Sequence, residues 1–237
     1  MPACRFFSVI IPAHNEEGYL RETLERIQAL DYPRDRFETL VVENGSSDAT
    51  LKEAERFANS TITVISIPTK GVSSARNAGI ERMSSKTDWV VFLDADTLLA
   101  PSFLRDLDAY LARPGMERYS VGTTSLLPAR DSRVARLWFA FYDLGHYLTK
   151  TSYSLFLVRA EVLKEVRFDE RMSSGEDLRM IRDARRFGAF FFFRTKTVAT
   201  STRRFDKEGW LKVLFSWTFV ALLPQSLQRR IEYKVVR

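Results

Sequence analysis

The feature that most constrains this chain is an alternation in its first hundred residues. Four short apolar runs, Phe6–Ile11, Phe37–Val42, Thr61–Ile67 and Trp89–Leu93, are separated by polar clusters and amphipathic stretches. Each run is rich in β-branched or aromatic residues, which suit a buried strand. Between them, Asn15 is placed to cap a helix with Glu16 and Glu17 in its first turn, where the helix dipole favours acids. Leu20, Leu24 and Ile27 then form its buried stripe. Asp48 similarly opens a helix carrying Leu51, Ala54 and Phe57, and a third helix covers Ser73 to Met83. This βαβαβαβ order predicts an α/β fold with a mostly parallel central sheet and helices on both faces.

The second half is less regular. A helical pattern covers Val134–Leu148 and another Asp177–Phe187, with strand-like runs at Ser154–Val158, Phe190–Phe193 and Thr197–Thr200. No repeat, low-complexity run or Pro/Gly-rich linker divides the chain. One domain over residues 1–205 with a C-terminal helical extension over 206–237 is therefore expected.

Charge is unevenly spread. Of a net +6, the segment from Arg203 to Arg237 carries eight Lys or Arg against three Asp or Glu. Such a segment suits an anionic partner or a solvated tail. No nucleic-acid-binding motif accompanies it, so no nucleic-acid partner is expected. A lone cysteine, Cys4, and an N-terminal apolar run too short for a signal sequence lead to the expectation of a cytoplasmic protein.

Polar clusters follow three of the expected strands: residues 12–17, 43–48 and 94–96. In a parallel sheet these ends gather along one edge, where ligands bind near the switch in strand order. Each cluster alone is ordinary turn and capping chemistry. Asp94-Ala95-Asp96 adds two carboxylates able to approach one hard cation, Mg²⁺ or Mn²⁺, which keeps waters and takes phosphate oxygens as further ligands. No Gly-x-Gly-x-x-Gly follows the first strand, which argues against a dehydrogenase.

Segments 8–17, 41–50, 75–79 and 92–96 together resemble family 2 glycosyltransferases, and Phe168-Asp169-Glu170 leading to Gly175-Glu176-Asp177 resembles that family's acceptor-side motif. The resemblance implies a glycosyltransferase-A fold, a nucleotide-binding half over about 1–100 and an acceptor half over about 101–205. It implies inverting transfer from a nucleoside-diphosphate sugar to a saccharide or a polyprenyl-phosphate-linked acceptor. By position, Pro12, Ala13 and Glu16 would line the nucleotide pocket. Glu43 would accept a hydrogen bond from the base, although Glu-Asn replaces the commoner Asp-Asp. Arg76 would reach the diphosphate, Asp94 the ribose or a metal-bound water, and Asp96 the Mn²⁺ or Mg²⁺. Asp177 would be the general base, with Glu176 orienting the acceptor or raising the Asp177 pKa; the plainer alternative is that both acids begin a helix. Arg203 or Arg204 would help hold the diphosphate, or would form a basic turn facing solvent. Arg167 stands where the family usually has glycine. A retaining enzyme of similar fold and a non-catalytic sugar-nucleotide or membrane-binding module are the rival readings.

Residues 213–228 carry no charge and include Trp217 and several large apolar side chains, flanked by Lys212, Arg229, Arg230, Lys234 and Arg237. The stretch is shorter than the roughly 20 residues that span a bilayer, and Pro224 interrupts it. With Trp210 it reads as an in-plane anchor giving peripheral membrane contact through 210–237, or as a helix packed on protein.

Overall fold

Strand β1, Phe7–Ala13, is buried on both faces, as the continuous apolar run requires. Its alternate side chains serve two cores. Phe7, Val9 and Ile11 pack with α1 (Leu20–Gln28) and α4 (Phe103–Leu111), whereas Ile10 packs with α3 (Val72–Arg82) and α6 (Glu176–Ala184). The period of two along a strand thus places helices on both sides of the sheet. The computed structural model describes residues 4–130, 132–152, 154–172, 174–210 and 212–213, and the side chain of Arg204 is outside that description. The expectations for the segment beyond 213 also lie outside it.

The main sheet has seven strands in the order β3-β2-β1-β4-β8-β6-β9. These are β2 (Phe37–Asn44), β3 (Ile62–Ile67), β4 (Trp89–Leu93), β6 (Tyr119–Thr124), β8 (Leu155–Arg159) and β9 (Ala189–Phe193) beside β1. All neighbours run parallel except β8, which is antiparallel to both β4 and β6. The chain walks outward from β1 to β2 and β3, then returns to place β4 on the other side of β1. That is the switch in strand order where a crevice opens beyond the carboxyl ends. A second sheet joins β5 (Thr97–Leu99), β10 (Val198–Thr200) and β7 (Leu127–Pro128). Helices α2 (Thr50–Glu55), α5 (Arg133–Thr149) and α7 (Arg203–Glu208) are the remaining α-helices among the described residues, with short 3-10 turns at Met116–Arg118 and Val162–Lys164. No helix among the described residues is long and apolar enough to cross a membrane.

Several expectations need correction. Asn15 does not cap α1, which begins at Leu20 with no side-chain cap. It has φ +56, and its Oδ1 accepts a hydrogen bond from the Ser47 amide at 2.8 Å. Asparagine tolerates that left-handed backbone, so it ties the loop after β1 to the loop after β2. Asp48 lies two residues before α2 and accepts from the Thr50 amide at 3.0 Å, while Phe57 falls beyond the helix end. Strands β1 and β2 each run two residues past their expected ends.

Gly79 has a packing reason. A Cβ there would stand 2.6 Å from Ile10 Cγ2, so α3 lies against β1 more closely than alanine permits. Gly79→Ala is therefore expected to destabilise the fold by about 1–3 kcal/mol through overpacking. That is so although alanine favours a helix by about 1 kcal/mol over glycine; urea denaturation of the two proteins measures the sign.

Candidate active site

Residues from three strand ends and three helices meet beyond β1, β2 and β4. At the end of β1, Pro12 is half-buried, and Ala13 is fully buried within the apolar core. His14 Nδ1 lies 2.9 Å from the Asn44 carbonyl, and the Glu16 amide donates to Thr50 Oγ1 at 2.8 Å. These contacts weld the first two loops into one wall.

Glu43, at the end of β2, is buried and accepts from the Ser46 amide at 2.5 Å and from Ser66 Oγ at 2.7 Å. Burial alone would raise its carboxyl, but these hydrogen bonds outweigh burial and hold it below the ordinary carboxylate range. Glu43 therefore stays ionised and shapes the second loop.

Arg76 is the hub. Its side chain, on α3, is only 5% exposed. Nη1 donates to Glu176 Oε1 at 3.0 Å and Nη2 to Asp94 Oδ1 at 3.3 Å. The guanidinium also sits 5.4 Å from the Phe156 ring centroid and 5.3 Å from that of Phe168. Two aromatic faces and two carboxylates thus fix one cation. Arg76 thus joins Asp94 after β4 to Glu176 at the start of α6.

Asp94 follows β4, and its amide donates to the Ser154 carbonyl at 3.0 Å. That contact exists because β8 runs antiparallel, which brings its first residues to the carboxyl end of β4. Burial, with repulsion from Asp96, Asp177 and Glu176, lifts the Asp94 carboxyl well above its ordinary value, and Arg76 opposes the rise. Asp177 is raised in the same direction, first by burial and then by Glu176, again against Arg76. Its Oδ1 accepts from the Leu178 amide at 2.8 Å in the first turn of α6. Both acids do begin a helix, and both also face the cluster.

Asp96 meets Arg203. Strand β10 pairs antiparallel with β5, Thr200 opposite Thr97, and this carries α7 back to the site. Arg203 binds both oxygens of Glu16 at 2.7 and 2.8 Å, and its Nε lies 3.1 Å from Asp96 Oδ2. The guanidinium is stacked 4.4 Å from the Tyr19 ring centroid. Of the two arginines singled out in the sequence, Arg203 faces the site and not solvent.

The acids suit a divalent cation. Asp94, Glu176 and Asp177 face one buried arginine, Arg76, while Asp96 and Glu16 share Arg203, so five acids meet two arginines. Among the described residues no group of three His, Cys, Asp or Glu side chains could hold a metal. The remaining ligands would thus be phosphate oxygens and waters, the usual habit of Mg²⁺.

Sequence reasoning missed three contributors. Asn77 holds the backbone of Phe168 through two 3.0 Å hydrogen bonds and Glu170 through one of 2.9 Å, and Ser74 adds a 2.9 Å bond to Glu170. Tyr19 supports Arg203. A polar pair on α3, whose residues 73–80 are all buried, was the available signal for the first two.

Residues 8–155 match the family model described as Glycosyl transferase family 2. The chain is 36% identical over 139 residues to the undecaprenyl-phosphate 4-deoxy-4-formamido-L-arabinose transferase of Pseudomonas savastanoi pv. phaseolicola, covering 56% of this chain and 38% of that one. It superposes on the crystal structure of S. aureus TarS 1-349 in complex with UDP-GlcNAc with a TM-score of 0.67 and 20% identity, over 94% of this chain and 68% of that one. Against the mannosyltransferase PcManGT from Pyrobaculum calidifontis in complex with GDP-Man and Mn²⁺ the TM-score is 0.64 at 21% identity, over 84% and 57% of the two chains. At such identities the superpositions establish a shared fold. The chain spans less than two fifths of the length of curated relatives such as these transferases.

Proposed function

We infer the activity from one premise: this chain belongs to glycosyl transferase family 2, whose model matches residues 8–155. It transfers a sugar, with inversion, from a nucleoside-diphosphate sugar to a saccharide or lipid-linked acceptor. The observation that carries this reading is the Arg76 hub, which joins Asp94 after β4 to Glu176 beside Asp177. The acid read as donor-side and the acid read as acceptor-side are thereby tied to one buried cation, which supports a shared reaction centre.

Asp177 accepts the proton of the acceptor hydroxyl as its oxygen attacks the anomeric carbon. A carboxylate lifted toward neutrality is a better base than an ordinary aspartate, and it acts once pH rises past its raised value. Glu176, tethered by Arg76, keeps a second negative charge beside it. Asp96 and Asp94 would hold Mn²⁺ or Mg²⁺, which when bound supplies neutralisation of charge on the departing diphosphate. Arg203 stands where its guanidinium can pass from Glu16 to a phosphate oxygen. Pro12, Glu16 and Glu43 wall the nucleotide side. The basic segment 210–237 gives peripheral contact with the cytoplasmic membrane face, in keeping with a lipid-linked acceptor.

Thermal-shift measurements with UDP, GDP and the other nucleoside diphosphates, with and without Mn²⁺, test the reading. At a hundredfold excess over Kd the right nucleotide adds about 2.7 kcal/mol. For a chain of this size that raises Tm by about 5 to 10 °C. Stabilisation by no nucleotide, with or without Mn²⁺, would sink the reading, and an axial–equatorial assignment of the product by NMR distinguishes inversion from retention.

A further inference from the structure

Helix α5 has two apolar faces. One, formed by Ala135, Phe139 and Tyr142, is buried against the domain. The other carries Val134, Leu137, Phe141, Leu144 and Leu148, which are 52–74% exposed. Their spacing of three and four residues lines them along one side of the helix, over a length of about 21 Å at 1.5 Å per residue. Scattered apolar residues on a surface are ordinary, but a continuous helical stripe of this size marks a contact.

Charge identifies the partner. Arg130, Arg133 and Arg136 are exposed at one end of the stripe and Lys150 at the other. Of the two carboxylates between positions 130 and 150, Asp131 and Asp143, the latter is turned inward, accepting from the Leu126 amide at 3.1 Å. Trp138 and Tyr147 add amphipathic rings. An apolar stripe bordered by cations and aromatic rings is the pattern of a helix lying in the headgroup region.

We propose that the exposed face of α5 docks on an anionic lipid surface. The helix borders the crevice twice. Its C-terminal end leads through residues 150–154 to Ser154, which touches Asp94. Its buried face holds Phe205 of α7 at ring distances of 5.9 and 5.8 Å, two residues from Arg203. Docking therefore brings the acceptor side of the crevice to the headgroup level. That placement deepens the reading of a lipid-linked acceptor and rests on it, whereas binding to the surface does not.

The test is co-sedimentation of the full chain with phosphatidylglycerol-containing and pure phosphatidylcholine vesicles, without donor. The expected result is partitioning to the anionic vesicles, cut at least tenfold by Leu137→Glu, Phe141→Glu and Leu144→Glu together. Retained near-UV circular dichroism and nucleotide thermal shift establish that the variant is folded. If it is not, Leu137→Gln with Phe141→Gln replaces it, with a several-fold loss expected. Equal partitioning of folded variant and wild type would overturn the proposal, as would a wild type that ignores anionic vesicles. A variant that loses only self-association, seen by light scattering, would assign the face to a second copy and also overturn it. Because nucleotide binding is measured in solution, failure here and failure of the donor reading give different results.

Discussion

Replacing Asp177 with asparagine is expected to lower kcat for transfer to a sugar hydroxyl by about three orders of magnitude, the usual scale for losing a positioned general base. Nucleotide affinity should change less than threefold, because Asp177 stands on α6, across the Arg76 hub from Asp96 and the loops after β1 and β2. The pH profile carries the same information independently. Asp177 is raised above an ordinary aspartate first by burial and then by Glu176, so the base is protonated and inactive at acidic pH. Activity should rise with pH along a limb displaced upward from the usual carboxylate range. Glu176→Gln removes the smaller of the two causes, and should move that limb part of the way toward acid. Near-full turnover in Asp177→Asn would instead assign the reaction to an acceptor that is already ionised, a phosphate.

Arg76→Ala is the second large effect. The change strands Asp94 and Glu176 around a vacated cation, and breaking a buried pair from one side costs about 3–5 kcal/mol. For a chain of this length the corresponding fall in Tm is about 10 °C. The sign of its pH dependence follows from the carboxylates. Without Arg76, which opposes the rise at Asp94, that carboxyl moves further above its unfolded value. A group raised in the folded state stabilises at low pH and loses that contribution as pH rises through its folded pKa. The deficit should therefore be smaller at pH 5 than at pH 8. Arg76→Lys keeps the charge but loses the two-pronged grip, and should fall between. Equal melting of wild type and Arg76→Ala at both pH values would refute the hub.

Much of the parallel half was legible because β1 to β4 are continuous apolar runs, and burial on both faces demands such runs. The polar loops were legible because they follow those strands. Other features depend on partners distant in the chain. Asn15 beside two glutamates has every local mark of a helix cap, yet its amide serves a backbone thirty-two residues away. Strands β5, β7 and β10 are two or three residues long and exist only through their pairing with one another. Nothing local shows that β8 runs antiparallel, and that reversal delivers Ser154 to Asp94. Helix α4 is different: Phe103, Leu104, Leu107 and Leu111 carry their helical spacing in the sequence itself. Arg203 was singled out, but its partners Glu16, Asp96 and Tyr19 emerge only from the β5–β10 pairing.

The bridge between Arg203 and Glu16 joins positions 187 residues apart. On the ribosome the chain emerges from its N-terminus, so the parallel sheet and both acids of the 94–96 turn exist long before α7. Until α7 emerges, Glu16 and Asp96 face each other without their arginine. Among the described residues, the Glu16–Arg203–Asp96 corner is thus the last part of the site to be completed during synthesis. A released chain truncated just before residue 203 should hold a formed sheet around an electrostatically unfinished site.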